Sequence, residues 1–188
     1  VMEACAEANI PLIILDRPNP NGHYIDGPIL EMEHKSFVGM HPIPVAYGMT
    51  IGEYAKMING EKWLANGTQC DLKVIPIKNY SHNLNYSLPI KPSPNLPNDK
   101  AINLYPSLCK DLTKVETINT INLKWLIEAY NNTENKSEFF NAFFIKLAGT
   151  KKLQQQIEAG LSEEDIKATW KDGLERFKET RKTYLIYP

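Results

Sequence analysis

The apolar run Ile10-Pro11-Leu12-Ile13-Ile14-Leu15, broken at once by Asp16-Arg17-Pro18-Asn19-Pro20-Asn21-Gly22, limits this chain's folds more than any other feature. A strand apolar at every position, rather than at alternate ones, suits a parallel sheet with helices on both faces. The residues before it, Val1 to Asn9, read as the last turns of a helix. Only Leu72 to Ile77 has a similar character, but it alternates, carries Lys73 and contains Pro76, which suits an edge or a different sheet. Two strands do not make a stable parallel sheet. We therefore expect upstream strands and read the 188 residues as part of a longer α/β polypeptide.

Thr50 and Glu53 have the spacing of a capping box, which predicts a helix from there to about Asn59, with Ile51, Tyr54, Ala55 and Ile58 on its buried face. Asn79 to Pro106 is rich in Pro and Asn. Its Tyr80, Leu84, Tyr86, Leu88 and Tyr105 predict an ordered, packed loop with a short helix near Ala101 to Leu104. From Ile121 the periodicity is helical. Leu123, Leu126, Ile127 and Tyr130 form one stripe, and Phe140, Phe143, Phe144 and Leu147 a second. Gly149 closes that helix, Thr150 can cap one carrying Leu153 and Ile157, and Ser162 opens a last helix with Ile166, Trp170, Leu174 and Phe177 on one face. The expected organisation is α/β: residues 1–60 as the C-terminal portion of a Rossmann-like domain, and residues 61–188 as a smaller mixed α/β domain ending in several helices.

A net charge of −1 with interspersed signs gives no reason to expect nucleic acid or an anionic membrane as partner. No apolar run reaches the roughly 18 residues a membrane span needs. Cys5, Cys70 and Cys109 are too scattered for a disulfide framework, although a Cys70 to Cys109 bridge is open in an oxidising compartment. His23, His34, His41 and His82 have no i, i+4 partner, so no metal is expected. No Gly-rich phosphate loop suggests a nucleotide cofactor, and none is expected.

Three places invite a functional reading. Loops after the carboxyl ends of parallel strands line the ligand crevice of open α/β folds, which favours Asp16, Arg17 and Asn19; the same string also reads as a polar turn. Glu53 either serves its cap alone or faces a ligand. Asn95, between Pro94 and Pro97, reads as a turn residue.

The ordered series Asp16-Arg17-Pro18-Asn19-Pro20, Gly27-Pro28, Phe37-Val38-Gly39, Ile43-Pro44, Tyr47-Gly48-Met49-Thr50-Ile51-Gly52-Glu53, Pro92-Ser93-Pro94-Asn95-Leu96-Pro97, Tyr105-Pro106, Phe139-Phe140, Leu147-Ala148-Gly149-Thr150 and Arg181-Lys182-x-Tyr184-Leu185 resembles the exo-β-N-acetylmuramidase (NamZ) family, formerly a bacterial domain of unknown function. The resemblance implies a Rossmann-like domain joined to a smaller one. It also implies release of N-acetylmuramic acid from the non-reducing ends of peptidoglycan fragments, in cell-wall turnover or recycling, in the periplasm or outside the cell. Muramyl saccharides are then the expected partners. Asp16, Arg17, Asn19, Glu53 and Asn95 become candidate substrate-binding residues, with Arg17 suited to the lactyl carboxylate as a charge-assisted pair.

The chain departs from the family pattern in two places. The family carries, upstream, a Pro-Glu-His-Gly segment whose Glu is the natural catalytic candidate, so the main acidic group is expected in a segment absent here. Among the residues present, Glu53 is the candidate. The family also carries a Phe-Glu-Gly-Thr stretch where this chain passes directly from Cys109 to Lys110. Glycoside hydrolysis ordinarily needs two carboxylates, and the alternative expectation is a module that binds or assembles on saccharides without cleaving them.

Overall fold

The structure, a computed structural model, describes residues 1–107 and 119–188; Cys109, and with it the Cys109–Lys110 junction, lies outside them. In chain order the elements are α1 (Met2–Glu7), β1 (Leu12–Leu15), β2 (Asp26–Ile29), β3 (Pro44–Ala46), α2 (Ile51–Gly60), β4 (Leu72–Ile75), α3 (Asp99–Leu104), α4 (Lys124–Asn131), α5 (Ala142–Ala148), α6 (Lys152–Glu158), α7 (Glu163–Ala168) and α8 (Lys171–Lys182), with short 3-10 turns between some of them. The chain folds into two compact units that interleave along the sequence. The first is Val1–His23, Gly48–Tyr86 and Lys178–Pro188; the second is Tyr24–Tyr47 and Ser87–Phe177. Among the described residues no helix is long and apolar enough to cross a membrane.

In the first unit β1 and β4 pair in parallel, Leu12 opposite Leu72 and Leu15 opposite Ile75, the arrangement the apolar run predicts for an α/β fold. Lys73 and Pro76 do not send β4 to another sheet, since Pro76 falls one residue past its end. The expectation of cover on both faces is not met within this chain. Burial alternates along β1, and Ile13 (58 % exposed) and Leu15 (75 %) face outward.

The Thr50–Glu53 capping box forms and starts α2. The buried face of α2 is turned from the expected one, because Ile51 is 45 % exposed whereas Gly52, Glu53, Ala55, Met57 and Ile58 are buried. Gly52 permits the close packing: a Cβ there would fall 2.6 Å from Val74 Cγ1 and 2.7 Å from Asp16 Cγ.

The second unit joins an antiparallel β2–β3 pair, unforeseen from the sequence, to helices α3 to α7 and to α8 as far as Phe177. Its core gathers Tyr24, Ala46, Ile121, Leu123, Tyr130, Leu153, Ile157, Ile166 and Trp170, with Phe139, Phe140 and Phe144 packed against it. The phenylalanine stripe differs from the expected one. Since α5 begins only at Ala142, Phe140 precedes it, and Phe143 and Leu147 are largely exposed. Gly149 ends α5 in the left-handed region (φ 72°) as foreseen. The last helix is two: α7, capped by Ser162, stops at Ala168, where the Thr169 hydroxyl donates back to the Ile166 carbonyl, and α8 begins at Lys171. In the Pro-rich loop Tyr80 is buried and α3 forms, but Leu84 and Tyr105 are exposed.

Candidate functional site

Two of the candidate residues, Asp16 and Glu53, lie in the first unit at the heart of one hydrogen-bonded network. Glu53 is fully buried (0 % exposed). Its Oε2 accepts from the Thr50 amide at 2.9 Å, closing the capping box. Its Oε1 accepts from His82 Nε2 (3.0 Å), the Ile186 amide (2.8 Å) and the Tyr187 amide (3.3 Å). Burial pushes the Glu53 carboxyl up, but the bonds from His82, Ile186 and Thr50 outweigh it and hold the group below its ordinary value. Glu53 is therefore an anion at neutral pH. An anionic carboxylate only accepts, so His82 Nε2 carries a proton; in a neutral ring Nδ1 is then the acceptor. That nitrogen is buried and has no hydrogen-bond partner among the described residues.

Asp16, one residue past β1, is equally occupied. Its Oδ1 accepts from the Arg17 amide (2.9 Å) and the Gly52 amide (2.8 Å); its Oδ2 accepts from the Thr50 and Tyr187 hydroxyls, both at 2.7 Å. Tyr187 also accepts from the Ile77 amide at 2.8 Å. Its hydroxyl is pushed up to about 12, by burial first and with Asp16 adding to it, so it remains a donor. Asn19 is braced on both sides: Nδ2 donates to the Met49 carbonyl (2.8 Å), and Oδ1 accepts from the Asn21 amide (2.9 Å). The carbonyl of the preceding Gly48 accepts twice from Arg181, from Nε at 2.9 Å and from a terminal guanidinium nitrogen.

Arg17 stands apart. It is exposed, and its side chain makes no hydrogen bond or ion pair with a described residue. Asn95 lies in the second unit with an exposed side chain, in a turn where its amide donates to Ser93 Oγ and the Leu96 amide to the Ser93 carbonyl. The structure thus brings Asp16 and Glu53 into one network through Thr50 and Tyr187, braces Asn19 separately on Met49 and Asn21, leaves Arg17 without a bond to a described residue and gives Asn95 the turn geometry its prolines suggest.

Sequence reasoning missed His82, Arg181 and Tyr187. Arg181 stood in the resemblance series and His82 among the histidines, but nothing local marked either as a partner of a residue some 30 to 130 positions away. The one metal-compatible group among the described residues is Glu31, Glu33 and His34, whose ligating atoms lie within 4.8 Å of one another. Glu31 is already held by Lys152 Nζ (2.6 Å) and Thr150 Oγ1 (2.9 Å), and Glu33 is mostly exposed, so the group reads as a surface ion-pair cluster.

Residues 1–100 match the family model described as exo-β-N-acetylmuramidase NamZ, N-terminal, and residues 102–187 the corresponding C-terminal model. The chain belongs to the NamZ family. It is 30 % identical over 259 aligned positions to the peptidoglycan β-N-acetylmuramidase NamZ of Bacillus subtilis (strain 168), covering 99 % of this chain and 62 % of that protein. The chain thus spans less than two thirds of this curated relative. The aligned positions outnumber the chain's own 188 residues, so the relative carries sequence within the matched span that this chain lacks. A DUF1343 family protein of Bacteroides fragilis shares the fold, with a TM-score of 0.94 at 42 % identity over the whole chain and 69 % of its own. A second DUF1343 protein of that organism superposes with a TM-score of 0.78 at 20 % identity, over the whole chain and again 69 % of its own. These NamZ-family matches support the mixed α/β, Rossmann-like reading of the fold.

Proposed function

We propose that this chain is the substrate-holding part of a glycoside hydrolase that releases N-acetylmuramic acid from the non-reducing ends of peptidoglycan fragments, in cell-wall turnover or recycling in the periplasm or outside the cell. The observation that carries the reading is the division of labour in the loop after β1. Asp16 and Asn19 spend their polar atoms bracing the loop, while Arg17 remains an exposed cation that no described residue engages. N-acetylmuramic acid differs from N-acetylglucosamine by a lactyl ether that ends in a carboxylate. A guanidinium on a rigid loop can meet that carboxylate in a paired, charge-assisted geometry.

Neither Asp16 nor Glu53 is assigned the bond-breaking step, because each carboxylate already accepts four hydrogen bonds. The acid group belongs to the upstream Pro-Glu-His-Gly segment of the family pattern, and Asp16 and Glu53 act as braces. In the intact polypeptide, assayed on a chromogenic muramide, Arg17→Ala raises KM about tenfold or more and leaves kcat nearly unchanged, as expected for loss of a ground-state charge pair worth roughly 1.5–3 kcal/mol. Arg17→Lys recovers only part of the loss, since an ammonium cannot form the paired geometry. An unaltered KM in Arg17→Ala would remove the residue from the site.

The engaged carboxylates favour one other reading, saccharide binding without cleavage. It predicts an intact polypeptide that binds muramyl saccharides and releases no N-acetylmuramic acid from them.

A further inference from the structure

We infer that Tyr187 is a positioning residue for muramyl recognition: its hydroxyl fixes Asp16, and through it sets where Arg17 stands. The inference rests on the role given to Arg17 above. The last ladder bond between β1 and β4 is that from the Asp16 amide to the Ile75 carbonyl, 3.0 Å. Beyond it the two strand ends have no ladder to hold them together. The Tyr187 hydroxyl takes over there, donating to Asp16 Oδ2 on one side and accepting from the Ile77 amide on the other.

The Tyr187 ring is itself fixed. It packs edge-on against Tyr80, with centroids 4.9 Å apart, and against His82. Its amide and that of Ile186 are anchored on Glu53, and the Pro188 carbonyl accepts from the His82 amide. Arg181, from the same segment, grips the Gly48 carbonyl beside Met49, whose own carbonyl holds Asn19. The segment from Arg181 to Tyr187 therefore holds both arms of the Asp16–Asn19 loop, and between them the Arg17 side chain bonds no described residue. A cation that recognises a carboxylate needs its backbone fixed to within about half an ångström, and the groups behind it supply that placement.

The test uses the intact polypeptide and two probes, N-acetylmuramic acid and N-acetylglucosamine, which lacks the lactyl carboxylate. Dissociation constants are measured for wild type, Tyr187→Phe, Arg17→Ala and the double variant. Tyr187→Phe is expected to weaken N-acetylmuramic acid binding about three- to tenfold and to leave N-acetylglucosamine binding within twofold. In the Arg17→Ala background the same change is expected to cost less than twofold, because the group it positions has gone. An equal loss for both sugars, an unchanged affinity, or the same loss with and without Arg17 would overturn the inference.

Asp16→Asn is the second variant, and it should reproduce the lactyl-selective loss if Tyr187→Phe does not fold. A wild type that binds the two sugars alike removes the Arg17 reading and this inference together. A wild type with lactyl-selective binding and no turnover sinks the hydrolase proposal and leaves the positioning role standing.

Discussion

Among the described residues each compact unit buries one carboxylate, Glu53 in the first and Asp26 in the second, and the two are treated differently. Asp26 opens β2 and accepts from the Gly27 amide (2.8 Å), the Ile121 amide (2.8 Å) and the Thr120 hydroxyl, with Lys167 Nζ as an ion-pair partner at 3.5 Å. Around it lies a broad apolar core built by helical stripes. Glu53 has no solvent contact, whereas the Asp26 side chain keeps 11 % exposure. The donors to Glu53, like the partners of Asp26, come from three separate stretches of chain: Thr50, His82, and Ile186 with Tyr187. The first unit has one short parallel pair and one helix of ten residues. The comparison teaches that an apolar core organises the second unit, whereas the first converges on a charged group that gathers its strands, loop and tail.

The largest effect should be at Glu53. Glu53→Ala leaves four donors unmet and is expected to cost about 3–5 kcal/mol, against about 1–3 kcal/mol for Asp26→Ala, whose own side chain and whose Thr120 and Lys167 partners reach solvent. Urea titration of both variants measures the gap, and equal losses would erase the distinction between the units.

Acid should act on the Glu53 clasp next. The Glu53 carboxyl sits below its ordinary value, so its contribution is complete above the unfolded-state pKa and fades as pH falls through the lower, folded-state one. Protection factors of the Ile186 and Tyr187 amides should therefore drop in that window, below the ordinary carboxylate range. Protection there that ignores pH would mean Glu53 is not the clasp. The smallest effect is local to the second unit: Ser162→Ala removes the acceptor of the Asp165 amide (3.1 Å) at the start of α7 and should cost about 1 kcal/mol in thermal or urea unfolding, with no change in sugar binding.

What the sequence disclosed was whatever is encoded within a turn or two of chain. The Thr50–Glu53 cap, the Ser162 cap, the Gly149 stop and the stripes of α4 and α6 depend on residues one to seven positions apart, and all form. The loop after β1 reads from the sequence either as a ligand-lining loop or as a polar turn, and its Asp16 and Asn19 brace it. What those side chains do was hidden, because Asp16 and Glu53 are occupied by Tyr187 and Ile186, more than 130 residues away. Only one half of each pairing can be seen in a local pattern. The turn of α2 was misjudged for the same reason: Glu53 faces inward because distant donors await it, a fact no hydrophobic period can express.

The three passes of chain that build the first unit also bear on the order in which the protein becomes itself. Its opening passes leave the ribosome long before Ile186 and Tyr187 do, and until then Glu53 has lost two of its four partners and Asp16 one. A buried anion without its donors is not a resting state. The nascent first unit should therefore stay open, with Glu53 hydrated, while the second unit, continuous from Ser87 to Phe177 apart from its β2–β3 hairpin, condenses ahead of it. The loop bearing Arg17 then takes up its final shape only once Ile186 and Tyr187 have been translated.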